Sequence, residues 1–304
     1  MISKLRDLLA RPATKPFLIG LTLGALAVGF IVDATTTLGL LRNMLLGSIL
    51  ISFVVGFHEF SHLLVARGLG MHVNEFAIGF GPRLAGLRAF GIAWNWRLLP
   101  LGGFVSLKGE SADEGLGSFS TAPAWKKLLT FAAGPVSNIA LAWAMFTLIG
   151  MTNFGLSFGD SAGLGVHAIG VVFDATLVIL GDGFGAAIAT GDINAIPIGS
   201  LPQMMTGAGA AVDAGWFMVL LLTGMLSLSV GVMNILPIPP MDGGQMFLIT
   251  LKSILRDYYP DRFMYRTSIA CLVLMTVLGL GLVGLDLVRM FNGAFDQLGE
   301  LGRS

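Results

Sequence analysis

Apolar stretches recur along the chain, and Lys and Arg cluster in only some of the segments between them. The stretches cover 17–32, 43–66, 128–151, 214–235 and 267–285. At 1.5 Å of rise per residue, each is about long enough for roughly 30 Å of hydrocarbon, 17–32 with the least margin. The pattern predicts a membrane α-helical bundle of about five spans. One intervening region follows a different rule. Phe76, Ile78 and Phe80 alternate with small or polar residues, and Ile92, Trp94, Trp96 and Leu98 alternate with Ala93, Asn95 and Arg97. A period of two is the strand signature. Gly79, Gly81 and Pro82, then Pro100, Gly102 and Gly103, punctuate it as turns. A small β-element is therefore expected between the second and third spans. Its aromatic strands suit a hairpin at the membrane interface.

The segment 152–213 is Gly-rich and acidic. "HAIGVVFDATLVIL" reads as a strand, and "GAAIATGDINAIPIGSLPQM" as a short helix, a turn at Gly191-Asp192 and a strand. This predicts a short extracytoplasmic segment, either PDZ-like or irregular. A PDZ fold captures peptides by strand addition.

Composition agrees with a membrane protein. Of the 304 residues, 55% are hydrophobic and 12% charged, with a mean hydropathy of +0.82, whereas soluble domains carry about 25% charged residues. The 18 basic and 18 acidic residues cancel, which argues against nucleic acid as a partner and leaves the lipid bilayer. The single Cys271 excludes an intrachain disulfide. The positive residues set the orientation. Lys4, Arg6, Arg11 and Lys15 precede the first stretch. Arg67, Arg83, Arg88, Arg97, Lys108, Lys126 and Lys127 lie between the second and third, and Lys252, Arg256, Arg262 and Arg266 between the fourth and fifth. The segment 152–213 holds no Lys or Arg. The N-terminus is thus expected in the cytoplasm, with 152–213 and the C-terminus outside. The first stretch also resembles a signal peptide around Ala25-Leu26-Ala27. Five more apolar residues follow that tripeptide, so it is expected to be retained.

The expected organisation follows. Residues 1–42 form a basic segment and an extra span, 43–67 a second span, 68–125 the cytoplasmic-side β-element and 126–151 a third span. The outer segment 152–213 comes next, then a fourth span within 214–245, a cytoplasmic loop 246–266, and a last span with its tail in 267–304.

The chemistry concentrates in "HEFSH", His58 to His62, at the end of the second stretch. On a helix, positions i and i+4 share a face, so both imidazoles can bind one zinc. Glu59 then stands beside the metal, placed to take a proton from the attacking water. Ionisable groups inside a span cost roughly 2.5–3.5 kcal/mol each, which makes function their default reading. A catalytic zinc needs a third protein ligand and an open fourth position. His72 and His167 read as ordinary surface residues. Asp242, in "NILPIPPMDGG", is the one acid between Asp213 and Asp257, and the charge-derived orientation puts it at the depth of His58 and His62. Pro237, Pro239 and Pro240 break the helix there, and broken backbone at membrane depth requires protein or a water-filled cavity around it.

With these motifs the chain resembles the site-2 protease family, zinc metalloproteases that cut within membranes. HEFSH matches the family's HExxH. "NILPIPPMDGG" matches its N-x-x-P-x-P-x-x-D-G, which implies Asp242 as third zinc ligand beside His58 and His62, with Glu59 as general base. "GPVSN", Gly134 to Asn138, matches its G-x-x-x-N. "PLGGFV", Pro100 to Val105, resembles the membrane-associated β-element of bacterial members that cleave anti-sigma factors. The resemblance implies that Asn138 and Asn234 hold the substrate backbone or the oxyanion. The β-element, with Gly102, Gly103 and Phe104, is expected to accept an unwound single-span membrane substrate as an added strand. Location in a bacterial inner membrane is implied too. The extra first span and the single short outer segment depart from the four-span bacterial enzymes with tandem PDZ domains. Two rivals stand beside the protease: a non-catalytic scaffold of the same fold binding a partner span, and a metal transporter. An intact Glu59 weighs against the scaffold, and the scarcity of ionisable groups in the other spans weighs against the transporter.

Overall fold

The computed structural model describes residues 34–109, 118–190 and 201–255, with scattered positions between 267 and 284. The expected span at 17–32, the Gly191-Asp192 turn, residues 256–266 and most of the last span lie outside the described residues. Four described helices contain stretches long and apolar enough to cross a membrane: Leu38–Gly68, Ala124–Asn153, Phe158–Val178 and Trp216–Ile235.

Helix α1 (Ala34–Gly68) begins nine residues before the apolar stretch predicted from 43. It buries Val54, His58, His62 and Ala66, each four residues from the next, along one face. The chain then turns into strands β1 (Val73–Ala89) and β2 (Ile92–Leu107). Ala89 pairs with Ile92, so Phe90 and Gly91 form a two-residue turn with φ of 54° and 79°, the positive-φ pair that closes a twisted hairpin. Both strands bend and shift register, so the first half of β1 is flanked twice: Phe76 lies opposite Val105 on one side and Trp94 on the other. The predicted breaks at Gly79, Gly81 and Pro82 are bends within β1, not its end. Met71, Val73, Phe76, Ile92 and Leu107 pack onto Leu63 and Ala66. Each such side chain contributes about 1.5–3 kcal/mol when it leaves water. This fixes the hairpin to the end of α1 that carries the histidines.

Helix α2 (Ala124–Asn153) returns along α1, and its buried residues Thr130, Gly134, Asn138 and Leu141 form one helical stripe. Helix α5 (Trp216–Ile235) packs on it through Leu228 and Val232 against Ala142 and Phe146. Gly224 leaves room for the Phe146 ring, which a Cβ would meet at 2.7 Å.

The strand and PDZ-like expectation for residues 152–213 is corrected, and Phe158–Val178, expected outside the membrane, is itself long and apolar enough to cross one. Residues 158–190 form one helix, α3 (Phe158–Thr190), and 201–213 form another, α4 (Leu201–Asp213). The β-branched run Val171, Val172 and Ile179 signals a strand, but a spacing of three and four decides the outcome. Ser161, Gly165, Ile169 and Val172 lie on one face of α3 and meet α2: Trp143 donates to the Ala162 carbonyl at 3.2 Å, and Gly150 and Gly165 allow close approach. Helix α4 lies against the first half of α1. Gly47 touches Met205 backbone and Gly209 touches Asn43 backbone, so no side chain fits at either glycine. Arg42 closes the pair with two bonds to Asp213, 2.7 and 2.8 Å, and this holds the Asp213 carboxyl below the usual carboxylate range. Both side chains are half-exposed, so the bridge adds little stability.

Candidate metal centre

Three elements carry the centre. On α1, His58 and His62 face the bundle, 4% and 7% exposed. Opposite them, α5 ends at Ile235, residues 236–241 form an irregular loop, and α6 (Asp242–Leu255) starts with Asp242. Prolines 237, 239 and 240 stop α5, because they supply no backbone donor. Gly243 and Gly244 let α6 fold back at once: a Cβ at either would strike the backbone of Ile235 and Leu236 or of Ile238 and Pro239. An acid in the first turn also suits the helix dipole. Asp242 Oδ2 lies 2.9 Å from His58 Nε2 and 3.3 Å from His62 Nε2.

The three ligand atoms lie within 4.8 Å of one another. A tetrahedral zinc with bonds of 2.0–2.1 Å holds its ligands about 3.3 Å apart, so the donor set fits zinc with three protein ligands and one position left open. The hydrogen bonds around the rings bear on the fit as well. His62 Nδ1 lies 2.6 Å from the Thr130 carbonyl. It therefore donates, and its Nε2 lone pair is free for a metal. The Asn138 amide stands at the other ring, 3.1 Å from His58 Nδ1.

The remaining expected residues are distributed as follows. Glu59 adjoins His58 in sequence, and the Gly103 Cα–H face of β2 turns toward it: a Cβ there would lie 3.6 Å from Glu59 Cγ. Gly102, with φ of +123°, makes the bend before it. Asn138 is fully buried on α2. Asn234, half-buried near the end of α5, donates to the Val230 carbonyl of its own helix at 2.9 Å. His72 and His167 are exposed and outside the cluster.

Sequence reasoning gave no role to Thr130, and none to Gly134 beyond its place in a motif. Thr130, Gly134 and Asn138 are spaced by four on α2 and run antiparallel to His62 and His58. A Cβ at Gly134 would fall on His58 Nε2 and 2.5 Å from His62 Nε2. The spacing was legible; what each position faced was not.

The fold and centre define a helical membrane protein with a two-histidine, one-aspartate zinc site beside a glutamate. The comparisons with known proteins agree. Residues 46–278 match the model of peptidase family M50, and the chain belongs to that family. A protein of Clostridium acetobutylicum is 24% identical over 297 residues, covering 70% of this chain and 87% of the relative. One of Campylobacter jejuni is 23% identical over 333 residues, covering 76% and 89%. One of Chlamydia pneumoniae is 36% identical over 121 residues, covering 35% of this chain and 19% of the relative. Each carries the name "putative zinc metalloprotease".

Proposed function

We propose that this protein is an intramembrane zinc metalloprotease of the site-2 type, which hydrolyses a peptide bond in or near the transmembrane segment of a single-span membrane protein. One observation carries the reading: His58, His62 and Asp242 converge among helices long and apolar enough to cross a membrane. Soluble proteases do not need that setting.

The chain's own groups divide the work. Bound zinc supplies a Lewis acid that lowers the pKa of a water and polarises the scissile carbonyl. Glu59 takes the proton of the attacking water and passes it to the leaving amine. Asn234, one turn before the Pro-rich loop, holds the substrate backbone. β2 receives the unwound substrate as an added strand at Gly102, Gly103 and Phe104, which brings its carbonyl toward Glu59. Residues 103–107 pair with β1 on one side, and no described strand lies on the other. Gly and Pro in the substrate span ease its unwinding. Regulated cleavage of an anti-sigma factor or a signal-peptide remnant fits this chemistry. The charge distribution supports a bacterial inner-membrane location with the N-terminus and the centre toward the cytoplasm.

The decisive variant is Glu59→Gln, which keeps shape and cannot accept the proton. Zinc should stay bound, and cleavage of a model single-span substrate should fall by about 10²–10⁴-fold. Equal cleavage by parent and variant would remove Glu59 from the base role. Substrate binding without cleavage by either protein would favour the scaffold.

A further inference from the structure

With the amide nitrogen of Asn138 turned to the ring of His58, the two cannot both serve a zinc site. Asn138 Nδ2 faces His58 Nδ1 at 3.1 Å. An amide nitrogen only donates, so Nδ1 would be the acceptor and the ring proton of a neutral imidazole would sit on Nε2. Nε2 is the atom that lies 2.9 Å from Asp242 Oδ2, and a protonated nitrogen has no lone pair for a metal. At the same time Asn138 Oδ1 is buried with no partner. A half-turn of the carboxamide exchanges Oδ1 and Nδ2 in the same volume. Oδ1 then accepts the Nδ1 proton, and the Nε2 lone pair is exposed to the metal position.

We propose that Asn138 is a positioning residue of the metal centre: its side-chain oxygen accepts the His58 Nδ1 proton and holds that ring in the tautomer that ligates through Nε2. This rests on the zinc reading above and departs from the substrate-binding role that the family resemblance implied for Asn138. Three observations support it. Asn138 is fully buried, so it has no face for substrate. Ser227 on α5 donates to its backbone carbonyl at 2.8 Å, and a Cβ at Gly231 would stand only 3.2 Å from Asn138 Cβ; together they fix where the amide stands. The Thr130 carbonyl performs the same service for His62, about two helical turns away on the same face of α2. Two ligands four apart on α1 are thus matched by two acceptors eight apart on the antiparallel α2, one from backbone and one from a side chain. The side-chain acceptor is the one that mutation can remove.

The test uses the full chain in detergent, loaded with zinc and titrated against a chelator. Asn138→Leu keeps the approximate volume and removes the acceptor; zinc affinity should fall about 10–100-fold, the usual cost of losing such a partner. Asn138→Asp cannot donate but accepts equally well, and it should stay within a few-fold of the parent. A donor role for Asn138 predicts the opposite for Asp, with zinc lost as in the Leu variant. Histidine-selective ¹⁵N spectra of the zinc-loaded parent supply a readout that needs no variant: His58 should show a protonated Nδ1 and a metal-shifted Nε2. An unprotonated His58 Nδ1, or unchanged zinc affinity in Asn138→Leu, overturns the proposal while leaving the zinc site intact. A parent that binds no zinc overturns both.

Discussion

Gly134 on α2 and His58 on α1 touch so closely that a methyl group at residue 134 would land on His58 Nε2, the atom that turns toward Asp242. The two helices approach at the centre only because residue 134 has no side chain. Gly134→Ala should therefore leave the apolar α2–α5 packing in place yet lower zinc content markedly. Overpacking of this kind costs about 1–3 kcal/mol, and here the movable groups are the ligand rings. Metal analysis of the purified variant beside its helix content checks this. Full zinc content in Gly134→Ala would mean that α2 shifts away from the histidines at little cost.

Removing the ligands should separate metal from fold. The parent should hold about one zinc per chain, and His58→Ala or Asp242→Ala should lower that occupancy. His72→Ala and His167→Ala should not, because both residues are exposed and stand outside the cluster. A chelator should abolish cleavage by the parent, and added zinc should restore it. The α1–hairpin core of Leu63, Phe76 and Ile92 contains no metal ligand, so helix and sheet content should survive chelation. Loss of that content would make the zinc structural.

How much of this was readable beforehand divides along physical lines. The α1, α2 and α5 spans and the strands around Phe76 and Trp94 follow from apolar length and a period of two, signals held within each segment. His58, His62 and Asp242 were legible because charged and ligating groups are rare in this chain and the orientation aligned them in depth. Residues 152–213 were misread, since β-branched residues around Val171 favour a strand locally while the small-residue stripe through Gly165 favours packing as a helix on α2. That stripe has meaning only once Trp143 and Thr147 are known to face it. Asn138 is the same case at finer scale: a G-x-x-x-N motif gives its position, and only the neighbouring His58 ring gives its task.

Topology is open to a direct check at two exposed loops. Leu156 lies in the turn between α2 and α3, and Phe90 at the tip of the hairpin. With Cys271 replaced by Ser, a cysteine at 156 should react with an impermeant thiol reagent added outside intact cells. A cysteine at 90 should react only after the membrane is opened. The positive residues Arg67, Arg83, Arg88, Lys126 and Lys127 on the hairpin side carry this expectation. The reverse labelling would put the metal centre toward the exterior face.

Gly103 offers the sharpest separation of substrate placement from metal chemistry. It pairs with Ile78 in β1, and a Cβ there would lie 2.8 Å from the Ala77 carbonyl and 3.6 Å from Glu59 Cγ. The carbonyl belongs to a paired strand and cannot yield as a flexible side chain does, so Gly103→Ala must push β2 outward. None of the ligands sits on β2, so zinc occupancy should equal that of the parent. The displaced strand should present its substrate poorly to Glu59. A loss of about 1.4 kcal/mol in transition-state stabilisation is a tenfold loss in rate, and displacement of the edge should cost at least that, with helix content unchanged. Gly91→Ala, at the far turn of the same hairpin where a Cβ meets nothing within 4 Å, serves as the control: its φ of 79° strains the turn without touching the edge beside Glu59. Cleavage of the single-span substrate by both variants, measured beside zinc content, gives the comparison. Parent-like cleavage by Gly103→Ala would show that substrate reaches the centre by a route other than this strand.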